Sequence, residues 1–133
     1  MSARGLPALK WILAFGIAST GLHFTHNFVE IDQYPDDLVS GEVVRVAILV
    51  AWPLFTVLAL FAYRLYARGS HSLAHGALLS YSFFCLTTLG HFLDGTPDIA
   101  PFWFATIFTD ALAGMAVLAF VAWSVRAPVA AQP

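Results

Sequence analysis

The sequence predicts an all-α integral membrane protein, a four-transmembrane-helix antiparallel up-down bundle forming one domain over residues 1–133. Three observations carry that expectation. Of the residues, 59% are hydrophobic and only 11% charged, against roughly 25% charged in soluble domains. The apolar residues collect into runs at about 8–29, 43–67, 73–92 and 102–123, each near the ~20 residues a helix needs to cross a bilayer. The polar connections between the runs are short, so consecutive helices should pack antiparallel.

The first run follows a short basic arm, residues 1–7. Arg4 and Lys10 resemble the start of a signal peptide, but no small-x-small cleavage site precedes His23, so the run reads as a retained span. Trp11 suits an interfacial anchor. Ala14, Gly16 and Ala18 are small enough to let a neighbouring helix approach. Asp32-Gln33-Tyr34-Pro35-Asp36-Asp37 is an acidic loop, and Pro35 ends regular structure before it. Ser40 is a candidate N-cap for the second helix, with Glu42 in its first turn. Pro53 lacks the N–H that would bond Leu49, which predicts a kink. Gly69 is a candidate left-handed C′ residue, and Ser70 or Ser72 can cap the third helix. Asp94-Gly95-Thr96-Pro97-Asp98 is a turn by composition. Asp98 can cap the fourth helix, with Pro101 in its first turn. Residues 127–133 read as a disordered tail.

Arg4, Lys10, Arg64, Arg68 and Arg126 fall on one side of these spans. Asp32, Asp36, Asp37, Glu42, Asp94 and Asp98 fall on the other, where Arg45 is the only basic residue. The positive-inside rule then predicts a multi-pass protein of the cell membrane with both termini cytoplasmic. A net charge of −2 gives no electrostatic case for nucleic acid. Cys85 is the only cysteine, which excludes an intramolecular disulfide and a multi-cysteine metal site.

The polar residues inside the spans carry the functional reading. Residues three and four apart share a helical face, so Ser19, His23, His26 and Glu30 form one stripe with Asn27 beside it. Ionisable groups in hydrocarbon cost several kcal/mol and mark functional sites by default. His91, Asp94 and Asp110 fall at a matching depth on the third and fourth spans. Asp110 is the most informative of them, because no turn chemistry explains a carboxylate within Thr106-Ile107-Phe108-Thr109-Asp110-Ala111-Leu112. It should face the interior, within reach of the first span or of Arg45. His71 and His75 belong to the opposite end: His75 is sixteen positions from His91, roughly 24 Å along a helix.

These residues divide into candidate roles. His23, His26, Glu30 and Asp110 are the acid–base candidates, since paired groups in unlike environments can take opposite proton-transfer roles. Asn27, Arg45, Trp52, Thr87 and Thr106 are candidates for binding a ligand. His23-x-x-His26 and His91-x-x-Asp94 each place two donors on one face, a plausible zinc or iron set. Haem ranks below a simple ion, because it would need facing histidines at equal depth, such as His23 or His26 with His91. Plainer readings stand beside each: histidines that join helices, an Asp94 that only shapes its turn, a Glu30 that belongs to the acidic loop, an Arg45 that snorkels. Phe83, Phe84, Phe92, Phe102, Trp103, Phe104 and Phe108 are either an apolar ligand pocket or a lipid-facing belt.

The order of spans, the acidic first outer loop and the His/acid cluster together resemble the layout of the small sterol-isomerase and sigma-2-receptor group. His23-x-x-His26 departs from that group's pattern, and the resemblance implies only a lipid-like ligand. The expected function is therefore to bind or act on a lipid-, sterol- or isoprenoid-like molecule by acid–base or metal-assisted chemistry. The alternatives are a proton or metal-ion relay, and an accessory subunit of a larger complex; a homo-oligomer is compatible with each. A relay needs polar groups through both halves of the bundle, whereas Ser19, Thr56, Ser80 and Ser82 are the most the inner half offers.

Overall fold

The computed structural model describes residues 5–34, 41–93 and 95–126. It is all-helical, with no strand among the described residues: α1 (Leu6–Val29), α2 (Gly41–Ala67), α3 (His71–Leu86) and α4 (Pro101–Arg126). A short 3-10 turn, Ile31–Gln33, follows α1, and a 3-10 segment, Thr87–Phe92, continues α3. The Ser40 cap, the Asp94 turn, part of the acidic loop and the tail lie outside the described residues. Among the described residues, three helical stretches are long and apolar enough to cross a membrane: α2, α3 with its 3-10 extension, and α4. α1 has the length, 24 residues, but Lys10, His23, Thr25, His26 and Asn27 dilute its apolar character.

Each helix packs on its neighbour in sequence and α1 also packs on α4, which closes a ring of four. The interior away from the end that bears His23 and His91 is filled by Leu9 and Leu13 of α1, Ala59 and Ala62 of α2, Leu78 of α3, and Val117 and Phe120 of α4. The outside is also apolar. Val43, Val46, Val50, Leu54, Val57 and Phe61 line an exposed surface of α2.

Small residues set the closest approaches. A Cβ on Gly114 would stand 2.9 Å from the Ser82 carbonyl oxygen and from Leu86 Cγ, so α3 and α4 meet there backbone to backbone. Ser82 Oγ donates to the Gly114 carbonyl at 2.8 Å. A Cβ on Gly16 would meet the Tyr81 hydroxyl at 2.8 Å and Ala113 Cβ at 3.4 Å, as the small residues of the first span suggest.

The ends of the helices follow local chemistry, with three departures from expectation. Gly69 has φ +83°, and the bonds Ser70 N–H to Leu65 O and Gly69 N–H to Tyr66 O form the Schellman motif predicted for it. Ser70 precedes α3, but its side chain makes no capping bond. The helix α2 is continuous through Pro53, as a kinked helix also is. Asp98 does not cap α4, whose first residue is Pro101, a position where the missing N–H costs nothing. The α-helix of the third span stops at Leu86 and tightens into the 3-10 segment.

Gly114→Val should destabilise the fold by roughly 1–3 kcal/mol, because the Ser82 backbone cannot yield. Gly76→Ala is the control: nothing lies within 4 Å of the added methyl, so it should be neutral or stabilising. Thermal unfolding of the purified variants reads both.

Candidate functional site

α1 turns Ser19, His23 and Asn27 inward, four residues apart and all buried. α4 supplies Thr106 and Asp110, again four apart and buried. The third contributor is the 3-10 segment. Its three residues per turn eclipse positions i and i+3, so Thr88 aligns with His91. Thr87, on α-helical spacing the partner of His91, is exposed instead and bonds its own Phe84 carbonyl at 2.6 Å.

His23 is the centre, with 1% of its surface exposed. Its Nδ1 lies 3.3 Å from Thr106 Oγ1 and 3.7 Å from Asp110 Oδ2. Its Nε2 lies 3.1 Å from His91 Nε2 and 3.0 Å from Asn27 Nδ2. Asn27 Nδ2 is also 3.1 Å from His91 Nε2, so three nitrogens from three residues form a nearly equilateral triangle. Asp110 accepts a hydrogen bond from Ser19 Oγ on its other oxygen, and Ser19 Oγ also meets Thr109 Oγ1 at 2.6 Å. Asp110 therefore faces the interior and reaches the first helix rather than Arg45. Among the described residues, Asp110 Oδ2, Asn27 Oδ1 and Thr88 Oγ1 are buried with no hydrogen-bond partner.

His26 turns away from this centre. Positions 23 and 26 lie ~60° apart around an α-helix, enough to send the second ring to another neighbourhood. His26 Nδ1 bonds the Tyr34 hydroxyl at 2.7 Å, and the ring stacks on Trp103 at 4.6 Å between centroids. Burial pushes the Tyr34 phenol up to about 12, so it keeps its proton at neutral pH. The Tyr34 ring in turn lies 4.8 Å from that of His91. Glu30 is exposed and accepts from Gln33 Nε2 at 2.9 Å; it does not join His23 and Asp110. It rims an open groove of about 350 Å³ lined by Thr25, His26, Val29, Glu30, Gln33, Ala100 and Trp103.

The remaining candidates are scattered. Arg45 lies over the Phe28 ring at 5.9 Å. The Trp52 indole covers Gly21, where a Cβ would meet it at 3.2 Å, and its buried Nε1 has no partner among the described residues. Asp94 lies outside the described residues. Of the aromatic residues, Phe83, Phe102 and Phe108 are exposed, while Phe84 is buried against Phe55 with centroids 3.9 Å apart. At the opposite end His75 Nε2 meets Ser124 Oγ at 2.8 Å, apart from the cluster as its distance along α3 requires.

Sequence reasoning left Tyr34, Thr109 and Ser19 out of the candidate roles. Ser19 had a signal, its place four residues before His23. Tyr34 had none, because only the 3-10 turn folds it back under His26.

Among the described residues, no group of three or more His, Cys, Asp or Glu side chains is placed to hold a metal ion. Nor do His23 and His91 fit a haem between them. Their rings are stacked with centroids 5.2 Å apart and Nε2 atoms 3.1 Å apart, whereas two nitrogens on opposite sides of one iron need ~4 Å and a slab for the macrocycle. No protein-family model, curated protein or solved structure matches the chain.

Removing Thr106 Oγ1 takes a partner from a buried imidazole, so Thr106→Val should cost roughly 1–3 kcal/mol. Thr87→Val, at an exposed position, should stay within about 0.5 kcal/mol of wild type. Chemical denaturation of the two variants separates them.

Proposed function

We propose that the chain is a multi-pass protein of the cell membrane, its four helices an antiparallel up-down bundle with both termini cytoplasmic. Its buried cluster binds or acts on a hydrophobic small molecule, lipid-, sterol- or isoprenoid-like, from the outer side. The apolar exposed face of α2 supports the first part: such a surface costs free energy in water and none in lipid.

The one-sided distribution of buried polar groups carries the second part. His23, Asn27, Thr88, Thr106 and Asp110 gather at the end where α1 meets the 3-10 segment. The other half is closed by Leu9, Leu78 and Val117, none of them exposed at all. A relay would need polar groups on that axis, so a site open to one face is favoured over transport. The groove beside His26 offers an apolar wall in Trp103 and Val29 with a polar rim in Glu30 and Gln33, the usual composition of a ligand site.

Within the cluster each group has a task it can perform. Asp110 and Thr106 stand at Nδ1 of His23 and orient the ring. Nε2 then faces the centre, able to exchange a proton or bind an electrophile. His26, held by Tyr34 and Trp103, stands between groove and centre.

The reading is tested by extracting the protein, purified in detergent, with organic solvent for mass spectrometry. A retained lipid-class molecule is expected in wild type and should be depleted in Trp103→Ala. A wild-type extract indistinguishable from that of an unrelated four-span protein would overturn it. In liposomes carrying a pH-sensitive dye no proton flux is expected; flux abolished by His23→Ala would establish the relay instead. For orientation, Asp36→Cys should label from outside intact cells and Ser2→Cys should not.

A further inference from the structure

We propose that His23 Nε2, His91 Nε2 and the side-chain amide oxygen of Asn27 are the protein ligands of one divalent first-row transition-metal ion, of which zinc is the type. The inference names the cofactor of the cluster above and rests on that cluster being the working site. It replaces the His23, His26, His91 and Asp94 set that spacing alone suggests: His26 is engaged by Tyr34 and Trp103, and Asn27 stands where a third ligand is needed.

The three corners of the triangle are 3.0, 3.1 and 3.1 Å apart, each a hydrogen-bonding distance. If Asn27 Nδ2 donates to both rings, the two Nε2 atoms meet lone pair to lone pair. If one Nε2 carries the proton and donates to the other, that N–H also faces the amide N–H. A half-turn of the amide exchanges Nδ2 for Oδ1, the atom that is buried without a partner among the described residues. Oδ1 can then accept from both rings, but two N–H groups confront each other. Every assignment leaves one edge repulsive, and an unsatisfied contact of this kind is costly where water is excluded.

A cation at the centre removes the conflict, because all three corners can then present lone pairs. The dimensions suit it. Ligand atoms ~2.0–2.1 Å from zinc at tetrahedral angles stand ~3.3 Å from one another, slightly more than the triangle's edges. Three ligands on one face leave a further position open on the opposite side, the arrangement of catalytic rather than structural sites. Two imidazoles with an amide oxygen are borderline ligands, suited to zinc or iron rather than to calcium or to thiophilic ions.

Asp110 is the second, independent observation. Metal-bound histidines usually direct the other ring nitrogen at a carboxylate, which fixes the tautomer and raises the ring's basicity. Asp110 Oδ2 lies 3.7 Å from His23 Nδ1, is buried and has no hydrogen-bond partner among the described residues. Its negative charge would also offset a dication that the apolar surroundings otherwise disfavour.

The test uses the full chain, purified in detergent, stripped with chelator and titrated with Co(II) and Zn(II). Wild type should bind one equivalent, with cobalt giving the visible ligand-field bands of a low-coordinate site and zinc displacing it. His91→Ala and Asn27→Leu should each weaken binding at least tenfold. Asn27→Asp, which keeps an oxygen at the same corner, should retain it, and His26→Ala should keep full stoichiometry. Wild-type protein that binds neither ion at micromolar concentration would overturn the proposal. So would binding that His26→Ala abolishes while His91→Ala does not. Metal content and lipid retention are separate readouts. Retained lipid without metal binding removes this inference alone, and metal binding without a retained lipid removes the functional reading alone.

Discussion

The burial of His23 against Asp110 is the constraint on which the rest of the molecule depends. An ionisable side chain placed in an apolar interior costs several kcal/mol unless its polar atoms are met. Meeting them requires α1 to present Ser19, His23 and Asn27 to α4 and to the end of α3 at once. That requirement sets the rotation of α1, and Gly16 and Gly21 then let it close on Tyr81 and Trp52. The same helix carries the buried polar residues Ser19, Thr20, His23, His26 and Asn27. These polar residues are tolerated because neighbouring helices cover them.

The bundle is divided along its length. One half is packed by aliphatic side chains with Tyr81 and Cys85 at its upper boundary, and its stability comes from apolar burial. The other half gives up some of that burial to hold a polar network in which several atoms lack hydrogen-bond partners among the described residues. Native proteins keep few such atoms, so a cluster of them calls for a physical reason. The apolar half gives the polar half a rigid base, the condition for a site whose donors must be held to fractions of an ångström.

The 3-10 segment is the device that completes the site. Thr87 Oγ1 bonds the Phe84 carbonyl at the point where the winding changes. Tightening the winding from 3.6 to 3.0 residues per turn changes which residues share a face. Thr88 and His91 turn inward together and Thr87 turns out. The three-residue turn after α1 acts similarly at the other edge, folding Tyr34 beneath His26 and next to His91.

Much of this was legible in the chain. The helical class, the element boundaries to within a few residues, the C′ role of Gly69 and the inward direction of Asp110 follow from composition, period and the cost of a buried carboxylate. So does the separation of His75 from His91, since distance along a helix is arithmetic. Other features were decided only by tertiary structure. His23 and His26 look equivalent at i, i+3 spacing, yet a rotation of ~60° gives one to the centre and the other to Tyr34 and Trp103. Asn27 outranks His26 at the centre because four residues align better with His23 than three. Thr88 displaces Thr87 because local winding departs from 3.6, which periodicity assumes. Glu30, on the polar stripe by sequence, stands outside because α1 ends at Val29 and its neighbours no longer cover it. Residue type and spacing determine what chemistry a helix can offer; the rotation of each helix against its neighbours decides which of those groups meet.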